Sequence, residues 1–281
     1  MLSLINKLLP YNRWGDRVVG WCHFFSRHKR APRRQMIFSD ELYRIKTTDE
    51  ILDPLRVFVS DKEYVKLFVK SVVGDEFNVP TSAVLHNIDE VRAYDFPDNC
   101  CIKPTHASGQ VILRRDGAPL DLAQIEQWLA MNFYYVKREA NYRKLTPKVI
   151  VEPLIYEHLD DVLDYKCFCY DGKLKLVQVD TDRHVNRQQT VYDRDWNLMD
   201  FSISYRSGDT VVPMPENFPV MHDVAEKLSA YFGLVRVDLY SDGETCMVGE
   251  ITNCAGNAGA RFFPRSGERR ASEIIFGTAA G

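Results

Sequence analysis

The sequence predicts an α+β fold, because amphipathic helices and short apolar strands are both recognisable and some of the strands are joined by tight turns. An Asp171-Gly172 pair between two apolar runs is typical of a two-residue hairpin turn, which makes the flanking strands antiparallel. The predicted strands cover residues 99–104, 111–113, 149–156, 164–170, 173–180, 235–240 and 247–253.

Three helices are predicted from apolar spacing and from terminal signals. The first begins at Ser60-Asp61-Lys62-Glu63, which resembles a capping box, and runs to about residue 73. This places Lys62 in the first turn, and the N-terminus of a helix favours phosphate. The second helix is predicted over 121–136 and the third over 220–232. The stretch 183–218 is predicted to be a long irregular insertion, and loops of this length are often functional.

The last strand pair carries the strongest functional signal. Two apolar strands flank a turn rich in Asp and Gly, and each strand has an acid, Asp238 or Glu250, where the alternation should bury a side chain. Buried carboxylates are costly unless they are paired or bind a cation. The two acids therefore indicate a divalent-metal site, and hard oxygen ligands of this kind suit Mg²⁺.

The two acids can share a face of the hairpin only if the loop has an odd length, or if a two- or four-residue loop is combined with a bulge. We expect Arg236 to lie opposite Glu250, with Asp238 as the diagonal neighbour of Glu250. Diagonal Cα atoms are about 7–8 Å apart. The alternative is that Arg236 and Glu250 form a structural cross-strand ion pair.

A second signal lies at the end of the first predicted strand. Lys103 closes that strand, and the small-residue loop 105–109 leads into the next one. Small residues let backbone N–H groups approach an anion, and a lysine adds a positive charge, so this loop suits phosphate. An ordinary turn between two strands explains the same residues.

Taken in order along the chain, these stretches resemble the ATP-grasp superfamily and, within it, the TupA-like branch associated with teichuronopeptide and cell-surface polysaccharide synthesis. The resemblance covers about residues 36 to 265. The motifs that carry it are Asp61-Lys62, Gly74–Pro80, Ile102–Gly109, Val151–Leu154, Asp164–Gly172, Val177–Arg183, Val235–Asp238 and Gly249–Thr252.

The resemblance implies an ATP-grasp fold, in which two α+β subdomains clamp ATP. Lys62 and Lys103 would contact the phosphates of ATP. The loop over these phosphates would comprise Thr105, His106, Ala107, Ser108 and Gly109. The linker that holds adenine would comprise Val151, Glu152, Pro153 and Leu154, with Glu152 on the base or the ribose. A loop histidine facing solvent is the alternative for His106.

For the chemistry, the resemblance implies that Asp238 and Glu250 bind Mg²⁺ and that Arg236 steadies the transferring phosphoryl group. Lys166 would reach the phosphates or an acceptor carboxylate, unless it is simply a lysine on an edge strand. Many ATP-grasp enzymes have Asn two residues after the second acid. Here Thr252 occupies that position, and Asn253, the other candidate metal ligand, is displaced by one.

The resemblance also makes Arg183 a candidate for binding the acceptor carboxylate, since arginine binds carboxylates bidentately. The alternative is that it is merely ion-paired with the acids that precede it.

The chain divides into four predicted segments. Residues 1–35 form a basic amphipathic N-terminal segment and 36–98 an N-terminal lobe. The small ATP-grasp subdomain with the phosphate loop covers 99–152, and the large one with the metal-binding hairpin covers 153–281.

Residues 1–35 contain eight Lys or Arg and one acid, although the whole chain has a formal net charge of −3. Contact with an anionic membrane surface, packing on the folded body and binding to a partner are the three interpretations of this segment. Nucleic-acid binding is not expected, because no recognised reading module accompanies the basic residues.

Other classes of protein are disfavoured. No apolar run of the length needed for a transmembrane helix occurs, and the N-terminus makes a poor secretory signal. The seven cysteines lack Cys-x-x-Cys spacing and fit reduced thiols in a cytosol, so a zinc site is not expected.

Together these features predict a cytoplasmic, ATP-dependent and Mg²⁺-dependent carboxylate–amine ligase. Its acceptor would be a uronic acid or an acidic amino acid of a surface glycan or its precursor, and the second substrate would be an amine. The alternatives are an ATP-grasp kinase that phosphorylates a glycan hydroxyl, and a non-catalytic subunit for glycan assembly or binding.

Overall fold

The computed structural model describes residues 2–156, 162–181, 188–206 and 211–277. Its helices are α1 (Leu2–Leu8), α2 (Arg13–His28), α3 (Phe38–Thr47), α4 (Pro54–Phe58), α5 (Tyr64–Val72), α6 (Ile88–Ala93), α7 (Leu122–Ala130), α8 (Phe133–Lys137), α9 (Phe218–Ser229) and α10 (Gly267–Phe276). Its strands are β1 (Ala83–Leu85), β2 (Cys100–Pro104), β3 (Ile112–Arg114), β4 (Val149–Pro153), β5 (Leu163–Tyr170), β6 (Lys173–Thr181), β7 (Gln188–Asp193), β8 (Ser202–Ile203), β9 (Leu234–Ser241), β10 (Cys246–Thr252) and β11 (Phe262–Phe263). This mixture confirms the predicted α+β class.

The larger sheet has the strand order β10-β9-β5-β6-β7, and every neighbouring pair in it is antiparallel. β5 and β6 are joined at Asp171 and Gly172, whose φ angles of 48° and 70° are both left-handed. Two consecutive left-handed residues are what a type I′ hairpin turn requires, so the turn predicted from this Asp-Gly pair is confirmed.

One face of the larger sheet is apolar along its whole length, because every second residue of its strands is hydrophobic. Helices α5 and α9 cover this face. The buried residues at this contact include Val65, Phe68, Val69, Met221, Val224, Leu228, Tyr165, Cys167, Val177, Val237 and Leu239.

The opposite face is divided into two halves. At one end it is apolar, and Phe168, Leu176 and Leu234 pack with residues of α3 and α10. At the other end the same face carries acids and basic residues on four neighbouring strands. Since the helices leave this polar half uncovered by apolar side chains, it is where polar chemistry can be placed.

The smaller sheet has the order β1-β4-β2-β3 and is also antiparallel. Its core combines strand residues such as Ile102 and Val151 with Ile125 and Trp128 of α7. The smaller sheet is tied to the turn before α5, where the backbone N–H of Lys62 donates to the carbonyl of Thr105, the residue after β2, over 3.0 Å.

The predicted helices differ from the structure in their bounds, and the third, predicted over 220–232, is α9 over Phe218–Ser229. The helix predicted over 121–136 is two helices, because α7 ends at Ala130 with Met131 as its C-cap, and Asn132 caps the next helix by accepting from the Tyr134 N–H. The helix predicted from residue 60 begins at Tyr64, and Lys62 therefore precedes it instead of occupying its first turn. Asp61, whose Oδ1 accepts from the backbone N–H groups of Glu63 and Tyr64, provides the cap.

The stretch 183–218 is not wholly irregular, since it contains β7 and β8. β7 is one of the two edge strands of the larger sheet. Its sequence begins with Gln188, Gln189 and Thr190, so the apolar alternation that signals a strand is weak. The smaller sheet also contains β1, which comes from the segment 36–98. The four-segment division of the chain stays a proposal.

Residues of the N-terminal segment pack on the folded body. Arg138 is 1% exposed and donates hydrogen bonds to the carbonyls of Asn6, Leu9 and Pro10 at 2.5 to 2.7 Å. Its ion pair with the buried Asp16 ties α2 to the same point. Within the described ranges, no helix is both long and apolar enough to cross a bilayer.

Candidate functional site

Asp238 and Glu250 lie directly opposite each other in the β9–β10 pair, so the two acids share a face as predicted. The predicted register was wrong in its detail, because Arg236 pairs with Thr252 and not with Glu250. The cause is a bulge between Val248 and Glu250, which shifts the pairing by one residue.

Gly249 fits this bulge for a steric reason. A Cβ atom at this position would lie 2.7 Å from the ring of Tyr240, which leaves no room for any other residue without a shift. The four-residue turn between β9 and β10 together with this bulge is one of the arrangements that the sequence analysis required for a shared face.

Arg236 holds the acid pair in place. Its guanidinium donates to both carboxylate oxygens of Asp238 over 2.6 and 2.5 Å, and it reaches Glu250 Oε1 at 3.4 Å. Thr252 Oγ1 donates to Glu250 Oε1 over 2.8 Å and accepts from Arg236 Nη2 over 3.2 Å. The cross-strand ion pair considered as an alternative is thus present, as part of a larger polar cluster.

The pKa values of the two acids are shifted in opposite directions. Burial raises the pKa of Asp238 to about 7, with the negative charge of Glu250 adding to the effect and Arg236 opposing it. Burial also acts to raise the pKa of Glu250, but the positive charges of Lys62 and Arg236 outweigh it and lower that pKa to about 2. Lys62 is therefore close enough to the pair to act on it electrostatically.

The donor set of this pair fits Mg²⁺, which proteins usually bind through one or two carboxylates, with substrate phosphates and waters as the remaining ligands. Two carboxylates and the hydroxyl of Thr252 meet here on adjacent strands. Among the described residues no group of three or more His, Cys, Asp or Glu side chains could hold a metal, so a closed all-protein site is absent from that part of the chain.

Lys166 continues the polar cluster onto β5, where it lies opposite Asp238. Its ammonium group contacts Asp164 and, over 2.8 Å, Asp180 Oδ2, and both acids are buried. Because β5 lies between β9 and β6, Lys166 is on a central strand of the sheet and not on an edge strand. Arg183 lies outside the described residues.

Asp164 and Asp180 were not predicted as site residues from the sequence. Gln178 and Gln189 each donate to Asp180 Oδ1 over 2.8 Å, so this part of the sheet face is a connected hydrogen-bond network. The signal was present in the sequence, because polar residues recur at every second position of two otherwise apolar strands.

At the end of β2, Lys103 forms an ion pair with Glu152 Oε2 over 2.6 Å. Glu152 Oε1 contacts Lys66 Nζ over 2.5 Å, so one buried carboxylate links two lysines. Burial alone would raise the pKa of Glu152, but Lys103 and Lys66 outweigh it and lower that pKa. Lys66 on α5 was not recognised from the sequence, since its spacing from the other lysines has no motif.

Lys62 connects the phosphate loop with the acid pair. Its ammonium group donates to the carbonyl of Ala107. Burial lowers the pKa of Lys62, whereas the charge of Glu250 acts in the opposite direction and that of Lys103 reinforces the lowering. Lys62 therefore contacts the loop through Ala107 and interacts electrostatically with Glu250, while Lys103 is paired with Glu152.

His106 has a structural position in this loop. Both of its ring nitrogens face backbone groups: Nε2 lies 3.1 Å from the carbonyls of Trp128 and Met131, and Nδ1 accepts from the Lys148 N–H over 3.3 Å. The ring is buried, which lowers its pKa and favours the neutral form. This arrangement agrees neither with the predicted nucleotide contact nor with a solvated histidine. Ser108 and Gly109, in contrast, form the exposed tip of the loop.

The predicted adenine linker begins inside the smaller sheet. Val151 is fully buried, and its carbonyl accepts from the Ser82 N–H over 2.8 Å, so the sheet already uses this group. Glu152 and Pro153 complete β4, and Leu154 follows it. A role for residues 152–154 in holding the base stays a prediction.

Asn253 is turned away from the acid pair. Its Oδ1 accepts from Arg56 Nη1 over 3.0 Å, and its Nδ2 donates to the carbonyl of Arg56 and to Ser60 Oγ. This side chain is 4% exposed and its amide is engaged on both sides. Thr252, which contacts Glu250, is therefore better placed than Asn253 to complete a metal site.

Glu139 is a further buried acid that the sequence analysis missed. Burial raises its pKa from 4.5 to about 7, an effect that Lys46 and Lys137 reduce and Glu250 increases. Among the described residues its carboxylate has no hydrogen-bond partner. No local pattern marks such a residue, because its burial depends on segments distant in the sequence.

We expect Glu139→Gln to stabilise the protein at alkaline pH. A carboxyl group with a raised pKa binds more protons in the folded state, so the free energy of unfolding falls as pH rises from about 4.5 to about 7. Removing the charge should recover stability of the order of 2–3 kcal/mol at pH 8 and almost none at pH 4.5. Urea denaturation at both pH values measures this, with the exposed Glu216→Gln as control. Equal gains at both pH values, or none, would contradict the burial of this charge.

Comparison of the sequence with family models identifies a family. The model of a family described as TupA-like ATPgrasp matches residues 42–275. A search of curated proteins found no match.

Three similar solved structures are ligases or a synthetase. D-alanine–D-alanine ligase from Bacillus anthracis with ATP is 16% identical with a TM-score of 0.39, and the match covers 71% of this chain and 55% of that one. D-cycloserine synthetase DcsG is 17% identical with a TM-score of 0.43, covering 80% and 72%. L-amino acid ligase from Bacillus licheniformis is 13% identical with a TM-score of 0.43, covering 78% and 49%. The chain spans little more than half the length of the first of these.

Proposed function

The chain belongs to the TupA-like ATP-grasp family, and on that premise we propose that it is an ATP-dependent ligase that joins a carboxylate to an amine through an acyl phosphate. The observation that carries the proposal is the cluster of Asp238, Glu250 and Arg236, with Lys62 acting on it from the turn before α5. Such a cluster places acids for a cation and positive groups for phosphate at one position.

ATP would lie between the two sheets. We propose that Lys62 and Lys103 contact its phosphates and that the tip of the loop 105–109 covers them. Residues 152–154 would contact the base or the ribose. Glu152 would then exchange part of its contact with Lys103 for the nucleotide, and the phosphates would become the new partners of that lysine.

Asp238 and Glu250, with Thr252 beside them, are the residues that would hold Mg²⁺. The ion would supply positive charge for the phosphoryl group that is transferred. Arg236, already beside both acids, would contribute a second positive charge at the same place.

The reaction requires two displacements. A carboxylate oxygen of the acceptor attacks the γ-phosphorus of ATP, the bond to the bridging oxygen of ADP breaks, and an acyl phosphate forms. The amine nitrogen then attacks the acyl carbon, inorganic phosphate leaves with the oxygen that came from the carboxylate, and the nitrogen loses a proton. Neither step needs a side-chain nucleophile, so positioning and charge neutralisation suffice.

The cysteines near the site support a mechanism without a thiolate. Burial raises the pKa of Cys167 well above its ordinary value, and it raises the pKa of Cys254 to about 12. Both thiols therefore stay protonated at neutral pH and are poor nucleophiles.

We propose that the acceptor is a uronic acid or an acidic amino acid within a cell-surface polysaccharide or its precursor, by analogy with the family. Lys166 and Arg183 are the candidates for binding its carboxylate. A cytoplasmic reaction is part of the same proposal, because ATP is supplied there and all seven cysteines are free.

Hydroxylamine tests the proposed chemistry, because it is a potent surrogate for the amine. With ATP, Mg²⁺ and a panel of uronic acids, we expect ADP, phosphate and a hydroxamate to form together, and ADP to form only with an acceptor present. A panel of neutral sugars with the same hydroxyl groups is the control. If the sugar gains a phosphate and no hydroxamate forms, the protein is a kinase that uses the same nucleotide site.

A further inference from the structure

Helix α2 presents three large aromatic side chains to solvent. Trp14, Trp21 and Phe25 are 60%, 44% and 47% exposed. At 100° per residue they fall within about 40° of one another around the helix, so they form a single narrow strip. The rings of Trp21 and Phe25 are stacked with centroids 5.4 Å apart. Exposed apolar residues that cluster in this way mark a contact surface more often than scattered ones do.

The strip is held on a well-anchored helix. Asn12 caps α2 by accepting from the Gly15 N–H, and Phe24 on the inward face is 1% exposed. Near the C-terminal end of the helix, Arg27 Nε donates to the carbonyl of Gly259 over 2.9 Å. The aromatic side chains are therefore exposed although the opposite side of the helix is packed on the folded body.

The basic residue Arg17 lies on the same side of α2 as the strip, about 40° around the helix from Trp21 at 100° per residue. Among the basic residues of segment 1–35, Arg13 and Arg30 form ion pairs with acids of the folded body. Within the described residues, five others are exposed and form no ion pair. These are Lys7, Arg17, Lys29, Arg33 and Arg34.

We propose that the aromatic strip of α2 and the five basic residues named above, together called the docking face, bind the surface of an anionic lipid bilayer. Trp and Phe side chains are favoured in the headgroup region, and basic residues are attracted to anionic lipids. The charge distribution argues against a second copy of this chain as the partner, because a symmetric contact would place two positive faces against each other. The inference does not depend on the proposed ligase activity.

Co-sedimentation with vesicles tests the proposal. We expect the protein to bind vesicles of phosphatidylcholine mixed with phosphatidylglycerol at least about tenfold more strongly than vesicles of phosphatidylcholine alone, and to be released by salt. Trp14→Ser combined with Trp21→Ser and Phe25→Ser should reduce binding at least about tenfold. Arg17, Lys29, Arg33 and Arg34 all changed to Gln should have a similar effect.

Matched controls keep the result interpretable. Tyr231→Ser removes an aromatic side chain that is 60% exposed elsewhere, and Lys70→Gln with Lys227→Gln removes exposed charges elsewhere. These variants should bind as the unmodified protein does. Melting temperatures show whether each variant is folded, and an unchanged thermal shift with ATP separates this surface from the nucleotide site.

Two outcomes would overturn the proposal. One is equal binding to both kinds of vesicle, or none. The other is unchanged binding when the docking face is substituted. Concentration-dependent dimerisation that the aromatic substitutions abolish, without any vesicle binding, would assign the same face to a second copy instead.

Discussion

Replacing Asp238 by Asn, or Glu250 by Gln, should lower the rate of acceptor-dependent ADP formation by about 100-fold or more, because each change removes a charge needed to hold the cation and to neutralise the transferring phosphoryl group. Both substitutions keep the size of the side chain, so the hairpin should retain its register. Steady-state rates at saturating ATP and Mg²⁺ measure the effect.

Two observations make this result specific. Melting temperatures without nucleotide show whether each variant is folded. Arg236 keeps one acid as a partner in each, and Glu250→Gln should lower the melting temperature because Lys62 and Arg236 stabilise the charged form of Glu250. Asp242→Asn, in the exposed turn of the same hairpin, should leave the rate unchanged. If Asp238→Asn and Glu250→Gln both keep nearly full activity, the acid pair is a structural ion-pair cluster.

Lys103→Met should abolish most of the thermal stabilisation by ATP and Mg²⁺. At ATP about 100-fold above its dissociation constant, binding stabilises the folded state by about 2.7 kcal/mol. For a chain of this size that corresponds to a rise in melting temperature of roughly 5 °C. Loss of the lysine removes a charge-assisted contact with phosphate, so the rise should shrink to within about 1 °C at the same ATP concentration. Differential scanning fluorimetry with and without ATP measures it.

Lys103 also pairs with buried Glu152, so the variant loses some intrinsic stability for a reason unrelated to ATP. Lys66 stays beside Glu152 in this variant, so the acid keeps a positive partner and the loss of stability should be partial. A full ATP response in this variant would place Lys103 outside the nucleotide site.

The acids of the hairpin were predictable because burial of a carboxylate violates the alternation of an apolar strand, and such violations are visible in the sequence. Their register was not. The sequence required a bulge or an odd loop, but it left the position of the bulge open. Gly249 takes that place because the Tyr240 ring, which lies across the strand pair, leaves no room for a Cβ atom.

Contacts between distant segments explain the remaining differences. His106 was predicted to be a phosphate-loop residue. Its ring instead contacts the backbone of Trp128 in α7 and of Lys148, the residue before β4. Asn253 looked like a metal ligand, but α4 supplies Arg56 to its amide. Glu139 and the pair of lysines on Glu152 depend in the same way on how separate elements pack, which no local pattern encodes.

Transfer of labelled oxygen tests the central claim most directly. An acceptor carrying ¹⁸O in its carboxylate should give inorganic phosphate with one ¹⁸O atom for each ADP formed, because the acyl phosphate leaves with an oxygen of the acceptor. Mass spectrometry of the phosphate detects this label, and the same acceptor without amine serves as the reference. Amide formation that yields unlabelled phosphate, or release of AMP instead of ADP, would contradict the acyl-phosphate mechanism proposed for this chain.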